Sequence, residues 1–130
     1  MAEKIMVLVV DDEESVRAGT EALLGFASDI DVIREACNGQ QAVQLVAEWK
    51  PDVVLMDVRM PVMDGLEATR RIKERWPQVK VIVLTMHASH RKDALEAGAE
   101  RFLLKGRMSE MLEAAIRGLA QEGPGHAPAV

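Results

Sequence analysis

The chain has 130 residues, of which 48% are hydrophobic and 28% are charged, and this composition predicts one globular domain rather than an intrinsically disordered protein. Its formal net charge of -5 argues against nucleic-acid binding by the domain itself, because such binding depends on clustered Lys and Arg side chains that contact phosphates. A single cysteine, Cys37, and a sequence without a signal-peptide or membrane-span pattern lead us to expect a cytoplasmic protein with no internal disulfide and no membrane partner.

Apolar runs and helical periodicities alternate along the chain. The predicted strands are 4–10, 30–36, 53–56, 79–84 and 101–104, and the predicted helices are 15–26, 40–50, 66–76, 89–97 and 108–120. Short connections between these elements favour right-handed βαβ units, so we expect an α/β fold built on a parallel sheet. We expect the domain to cover residues 1–121, and we interpret residues 122–130 as a flexible tail or the stub of a linker.

Several local signals mark the ends of these elements. We interpret Asn38-Gly39 as a turn after the second strand, and Lys50-Pro51 as the end of the second helix. Gly98 is well suited to a left-handed residue that ends the fourth helix. Phe26 continues the apolar spacing of the first helix, which predicts that this helix extends to it.

Asp57 stands at the end of the central predicted strand. Four apolar residues lead directly into it, and Pro61 and Gly65 then interrupt any regular element. Strands of a parallel sheet are covered on both faces, and ligands of such sheets bind in the crevice beyond the carboxyl ends of the strands. We therefore expect Asp57 to lie at the functional site.

Polar residues also follow three other predicted strands. Asp11 and Asp12 end the first strand, Thr85 ends the fourth, and Lys105 ends the fifth. Side chains at these positions converge if the strands lie side by side. Three carboxylates close together repel each other, and a hard divalent cation such as Mg2+ would neutralise them.

The chemistry of these residues favours a phosphoryl site. We expect Asp12 and Asp57 to bind Mg2+ directly, Asp11 to bind it partly through water, and a backbone carbonyl, that of Arg59, to complete the protein's share. Lys105 would neutralise phosphoryl oxygens, Thr85 would donate a hydrogen bond, and Asp57 would attack phosphorus in line. Asp57 would then become an acyl phosphate. An isolated strand-end aspartate is more often a helix cap or a solvated acid, and only the coincidence at four strand ends outweighs that reading.

Four motifs carry a family resemblance. They are Val10-Asp11-Asp12-Glu13, Leu55-Met56-Asp57-Val58-Arg59-Met60-Pro61-Val62-Met63-Asp64-Gly65, Val83-Leu84-Thr85 and Phe102-Leu103-Leu104-Lys105. The chain resembles, over residues 4–120, the receiver domain of a bacterial two-component response regulator. The resemblance implies a flavodoxin-like, doubly wound sheet in the order 2-1-3-4-5. It also implies that a sensor histidine kinase or a phosphotransfer protein phosphorylates Asp57, with Mg2+ as the cofactor, and that phosphorylation can produce a homodimer.

The resemblance further implies a switch that involves Thr85 and Phe102. In the family, the hydroxyl residue moves toward the phosphoryl group while an aromatic residue on the fifth strand turns inward. Three departures bear on this expectation: Phe102 has no hydroxyl, Gly106 stands where many receivers have proline, and the stretch from Thr85 to Gly98 is shorter than usual. From position alone, we expect the side chains of Arg59 and His87 to affect the lifetime of the acyl phosphate.

Three functional alternatives follow from these observations. The motif sequences are similar to those of receivers that precede a LuxR-type helix-turn-helix DNA-binding domain. This similarity favours a fragment of a transcriptional regulator over a stand-alone receiver. A small phosphatase with an aspartate nucleophile is the enzyme alternative. It usually carries a second Asp two residues after the nucleophile, where this chain has Arg59. We therefore expect a non-enzymatic signalling domain.

Overall fold

The computed structural model describes residues 3–122, which form a single five-stranded parallel sheet with helices on both faces. The strands are β1 (Ile5–Val10), β2 (Ile30–Ala36), β3 (Val53–Met56), β4 (Lys80–Thr85) and β5 (Arg101–Leu104). The helices are α1 (Glu14–Leu24), α2 (Gly39–Trp49), α3 (Gly65–Arg75), α4 (Arg91–Glu96) and α5 (Met108–Ala120). The strand order is β2-β1-β3-β4-β5, which confirms the expected doubly wound topology.

The central strands are buried on both faces because two hydrophobic cores cover them. One core packs Leu8, Val54, Val81 and their neighbours against α2, α3 and α4, and the other packs Val7, Leu55 and their neighbours against α1 and α5. Successive strand residues point to opposite faces, so both sets of side chains must be apolar. This requirement explains the unbroken apolar runs in the sequence.

Two helices begin with a side-chain cap beside the sheet edge that carries the candidate site. Asn38 accepts a hydrogen bond of 2.8 Å from the amide of Gln41, and Asp64 accepts one of 2.9 Å from the amide of Glu67. Both bonds satisfy amides in the first turn that have no partner within their own helix. The prediction of a turn at Asn38-Gly39 was therefore wrong in kind: Asn38 is the N-cap of α2, and Gly39 is the first residue of this helix.

The first helix is shorter than its apolar spacing predicts. It ends at Leu24, and the side chain of Phe26 is 88% exposed instead of packed on the sheet. Gly25 is the C-cap of this helix, and Ala27 and Ile30 supply the buried contacts that Phe26 does not make. In the connection between α4 and β5, Gly98 has a φ of +106°, as the prediction of a left-handed residue requires.

The segment between β4 and β5 is compact. A short 3-10 turn, Ala88–His90, leads directly into α4, which has only 6 residues. Residues 123–130, which belong to the predicted tail, lie outside the described part of the chain. Within residues 3–122, no helix has both the length and the apolar character that a membrane crossing requires.

Candidate functional site

The carboxyl edge of the sheet brings the candidate residues together. Asp11 directly follows β1, Asp57 directly follows β3, Thr85 is the last residue of β4, and Lys105 directly follows β5. Because β1, β3, β4 and β5 are neighbours in the sheet, these residues share one edge. Asp57, Thr85 and Lys105 border a cleft of about 250 Å³, whose other lining residues are Asp12, Glu13, Arg59, Met86 and His87.

Gly65 fixes the loop that follows Asp57. A Cβ atom at this position would lie 1.7 Å from the carbonyl oxygen of Asp57, which no backbone tolerates. The amide of Gly65 donates a hydrogen bond of 2.8 Å to the carbonyl of Val58. Glycine is therefore required here, because the start of α3 packs directly on the peptide that carries Asp57.

Gly39 anchors the same loop from the other side. Its amide donates a hydrogen bond of 2.9 Å to the carbonyl of Met63, and a Cβ atom there would lie 2.4 Å from that oxygen. The loop between β3 and α3 is consequently held by the beginnings of both α2 and α3. This close approach explains why the Asn38-Gly39 pair caps a helix and supports the site at the same time.

Three carboxylates form an acidic cluster. Carboxylate oxygens of Asp11, Asp12 and Asp57 all lie within 4.8 Å of one another. Asp11 and Asp57 are 4% and 8% exposed, whereas Asp12 is open to solvent. An all-oxygen set with one exposed member fits Mg2+, which prefers oxygen ligands and keeps several of its waters.

Lys105 supplies the positive charge at this cluster. Its Nζ atom lies 2.7 Å from Oδ2 of Asp11 and 3.2 Å from Oδ1 of Asp57. Oδ1 of Asp57 also accepts a hydrogen bond of 2.9 Å from the amide of Val58. The ammonium group therefore bridges two buried carboxylates.

The pKa values of Asp57 and Lys105 are both raised, which disfavours the charged form of Asp57 and favours the charged form of Lys105. Burial raises the pKa of Asp57, and the negative charge of Asp11 adds to this rise, although Lys105 opposes it. Burial lowers the pKa of Lys105, but its hydrogen bond to Asp11 and the charges of Asp57 and Asp11 outweigh that effect and leave the pKa above its ordinary value. The acidic cluster thus keeps Lys105 charged, but this one ammonium group does not balance the three carboxylates.

Thr85 makes contacts that the sequence did not predict. Its hydroxyl oxygen lies 3.0 Å from Nδ1 of His90 and 3.3 Å from the amide nitrogen of His87. Only 2% of Thr85 is exposed. Nothing in the sequence indicates that the 3-10 turn Ala88–His90 returns the ring of His90 to Thr85.

The remaining predicted residues occupy different places. Arg59 and His87 are exposed and border the cleft, as their positions predicted. Phe102 is half-buried in β5, where it packs on the core beside α4 and borders a separate cavity together with Ala88 and Arg91. The contribution of the Arg59 carbonyl to a metal site and the switching of Phe102 stay predictions.

Arg17 is a supporting residue that sequence reasoning missed. Its guanidinium donates a hydrogen bond of 2.7 Å to the carbonyl of Asp11 and another of 2.7 Å to Glu35 on β2. This contact ties α1 to the peptide that carries the acidic pair. An arginine on a surface helix carries no sequence signal for such a role, because the contact depends on how α1 lies over β1 and β2.

Comparison with known proteins gives a family for this chain. Residues 7–117 match the model of the response regulator receiver domain. The chain is 38% identical over 122 residues to the transcriptional regulatory protein DegU of Brevibacillus brevis, covering 92% of this chain and 52% of DegU. It is 42% identical over 115 residues to the response regulator protein VraR of Staphylococcus aureus, covering 87% of this chain and 55% of VraR.

A solved structure agrees with these matches. The signal receiver domain of the putative response regulator NarL from Mycobacterium tuberculosis superposes with a TM-score of 0.87 at 31% identity, covering 92% of this chain and 98% of that domain. The chain spans about half the length of DegU and VraR. Sequence and fold therefore lead to one assignment: the chain belongs to the response regulator receiver domain family of two-component systems.

Proposed function

We propose that the chain accepts a phosphoryl group on Asp57, with Asp11, Asp12 and Asp57 holding Mg2+. The observation that carries this proposal is the convergence of three carboxylates and the Lys105 ammonium at a cleft that Asp12, Asp57 and Thr85 border. Mg2+ would withdraw charge from the phosphoryl oxygens and offset the repulsion among the carboxylates. Residues 1–121 would form the receiver unit.

The attacking group is the Asp57 carboxylate. The amide of Val58 and Nζ of Lys105 both approach Oδ1, so we assign Oδ2 as the oxygen that attacks phosphorus. A new O–P bond forms as the P–N bond to a phosphohistidine imidazole breaks, and the imidazole leaves with the electron pair of that bond. Phosphohistidine on a sensor kinase or a phosphotransfer protein is the donor that we infer from family membership.

Lys105 and Thr85 serve the transferred group. Lys105 lies between Asp11 and Asp57, from which its ammonium can turn to a phosphoryl oxygen without leaving the cleft. Thr85 can donate its hydroxyl hydrogen to another phosphoryl oxygen. Hydrogen bonds from these two groups would offset the negative charge of the phosphoryl oxygens.

The output of the whole protein is the second part of the proposal. DegU is a transcriptional regulatory protein, and this chain covers 52% of it. We infer that the receiver controls a helix-turn-helix DNA-binding domain in a longer cytoplasmic regulator. The receiver itself carries net negative charge and would not contact DNA.

Intact-mass spectrometry tests phosphotransfer directly. The wild-type chain, Asp57→Asn and the control Asp31→Asn would be incubated with Mg2+ and acetyl phosphate; Asp31 is an exposed acid on β2. We expect one added phosphoryl group in the wild type and in Asp31→Asn, and none in Asp57→Asn or after addition of a chelator. An adduct that persists in Asp57→Asn would refute Asp57 as the acceptor, and steady turnover of a phosphate ester would favour the phosphatase alternative.

A further inference from the structure

The hydroxyl group of Thr85 has two polar neighbours and little access to water. The amide nitrogen of His87 lies 3.3 Å from the oxygen, Nδ1 of His90 lies 3.0 Å from it, and the residue is 2% exposed. A threonine hydroxyl has one hydrogen to donate and two lone pairs that accept. The group that accepts this hydrogen therefore determines whether Thr85 can donate it to another acceptor.

The amide of His87 can only donate, so it occupies one lone pair of the hydroxyl oxygen. In the Nε2–H tautomer of His90, Nδ1 accepts the hydroxyl hydrogen. In the Nδ1–H tautomer, the ring would be a second donor, and the hydroxyl hydrogen would have to find another acceptor. A nearly buried hydroxyl that loses its acceptor is costly, whereas the chain from amide to hydroxyl to imidazole is cooperative. The contacts therefore favour the Nε2–H tautomer.

We propose that His90 is a positioning residue that binds the Thr85 hydroxyl hydrogen and keeps it from the phosphoryl site before phosphorylation. The inference rests on the proposed function, in which Thr85 donates this hydrogen to a phosphoryl oxygen. The phosphoryl group must then compete with Nδ1 of His90 for a single hydrogen. A charged acceptor forms the stronger hydrogen bond, so the phosphoryl group wins this competition after transfer, but the contact with His90 opposes phosphorylation.

The location of His90 connects this competition to α4. His90 closes the 3-10 turn, with its amide 3.2 Å from the carbonyl of His87, and it directly precedes the first residue of α4. Its ring also meets the ring of His87 edge to face at 5.7 Å. When Thr85 leaves His90, the last residue of the turn before α4 loses its hydrogen bond to the phosphoryl site. This step would carry the state of Asp57 to α4.

Nitrogen NMR tests the hydrogen-bond assignment in the unphosphorylated protein. Long-range proton–nitrogen correlation spectra of the full chain at mildly alkaline pH distinguish the two imidazole tautomers, and His90→Gln identifies the His90 signals. We expect the Nε2–H tautomer for His90 in the wild type. In Thr85→Val, which removes the hydroxyl and keeps the side-chain shape, we expect the proportions of the two His90 tautomers to change. A predominant Nδ1–H tautomer in the wild type would overturn the proposal.

Phosphorylation kinetics test the consequence for Asp57. Rates would be measured by intact mass with Mg2+ and acetyl phosphate for the wild type, His90→Phe, His90→Gln and Lys92→Gln, the last being a control at an exposed position of α4. His90→Phe removes the ring nitrogens and keeps an aromatic ring. We expect about a two- to tenfold faster reaction, the range that one hydrogen bond of ordinary net strength gives. His90→Gln retains an acceptor and should fall between the wild type and His90→Phe.

The same variants in a Thr85→Val background separate positioning from a general structural effect. The increase caused by His90→Phe should disappear there, because no hydroxyl hydrogen remains to compete for. The role of His90 would be overturned if His90→Phe increased the rate equally with Thr85 and with Thr85→Val. It would also be overturned if His90→Phe gave no increase in the protein that retains Thr85. If the wild type takes no phosphoryl group, the proposed function fails and this inference fails with it. If the wild type is phosphorylated at the same rate as His90→Phe, only the inference fails.

Discussion

Gly65 determines the path of the loop that follows Asp57. Its missing Cβ would lie 1.7 Å from the Asp57 carbonyl oxygen, so Gly65→Ala must displace the backbone on one side of the site. We expect a loss of about 2–3 kcal/mol in the free energy of unfolding, at the upper end of overpacking effects, and a loss of phosphorylation in the folded fraction. Denaturant titration and intact mass measure these two effects.

Gly118 provides the matched control for that substitution. It lies in α5, where nothing stands within 4 Å of an added Cβ. Gly118→Ala should therefore stabilise the protein by about 0.5–1 kcal/mol, because alanine loses less backbone freedom on folding. If Gly65→Ala proved as stable as Gly118→Ala, the close approach of the start of α3 to Asp57 would be disproved.

Val62 occupies a strained position in the same loop. It has a φ of +70°, and the amide of Met63 donates a hydrogen bond of 2.7 Å to the carbonyl of Pro61 across it. A β-branched residue in this conformation is an outlier, and the three-residue turn around it resembles a rare type of γ-turn. Because the side chain is 75% exposed, packing does not explain why valine stands there.

Substitutions at Val62 should reverse the usual order of alanine and glycine. We expect Val62→Gly to be more stable than Val62→Ala by about 0.5–1 kcal/mol, since relief of the left-handed strain exceeds the entropy that glycine gains when unfolded. Free energies from urea titrations give the comparison. At the exposed helical position Ala18, glycine should instead be less stable than alanine, and the same order at both sites would contradict the strain.

At the scale of the elements, one ion pair connects the loop before β2 to α5. Nε and Nη2 of Arg117 lie 2.7 and 2.9 Å from the two carboxylate oxygens of Asp29. The hydrogen bonds from Arg117 lower the pKa of Asp29 below its ordinary value. A carboxyl group with a lowered folded-state pKa stabilises the fold above its unfolded-state pKa, and this contribution is lost as the pH falls through the folded-state value.

The stability of Asp29→Asn should therefore depend on pH relative to the wild type. We expect a lower melting temperature than the wild type at neutral pH, with a modest difference because both side chains are partly exposed. The difference should close as the pH falls below about 3.9, the pKa of an unperturbed aspartate. Arg117→Lys, which loses the paired geometry, should behave in the same direction. Scanning calorimetry across this range decides the matter, since a pH-independent difference would exclude the ion pair as the cause.

The strands were predictable from sequence for a physical reason that did not extend to every helix. Each central strand is covered on both faces, so the side chains on both faces must be apolar, and the resulting run of apolar residues can be recognised in the sequence. The end of α1 is not determined by its own spacing: Phe26 continues the periodicity, yet the chain turns at Gly25 to reach β2. Likewise, the contact of His90 with Thr85 depends on a turn whose path is set by the packing of α4 and β5.

The composition of the site was also predictable, because it follows from topology. Once the sheet is parallel, the residues that follow neighbouring strands must share an edge, and Asp11, Asp57, Thr85 and Lys105 do so. Topology does not indicate the contacts that residues of other elements make with the site. Arg17 reaches the Asp11 carbonyl from α1, and Gly39 supports the loop after Asp57 from α2.

At the scale of the whole molecule, cation binding should report on folding. A ligand that binds only the folded chain stabilises it by RT ln(1 + [L]/Kd), which is about 1.4 kcal/mol at ten times Kd. For a domain of this size, that gain raises the melting temperature by about 3–6 °C. Asp57 approaches the adjacent pair Asp11 and Asp12 only in the folded chain, so we expect Mg2+ to produce this rise and a chelator to reverse it.

Two variants show whether the rise comes from the acidic cluster. Asp12→Asn and Asp57→Asn each remove one charge from it, so the Mg2+-dependent rise should be much smaller in both, whereas Asp31→Asn on β2 should keep it. Differential scanning fluorimetry with Mg2+, compared with sodium chloride at equal ionic strength, separates binding from charge screening. Equal rises in all four proteins would place the cation elsewhere, and a rise lost only in the two cluster variants would place it where phosphotransfer to Asp57 requires it.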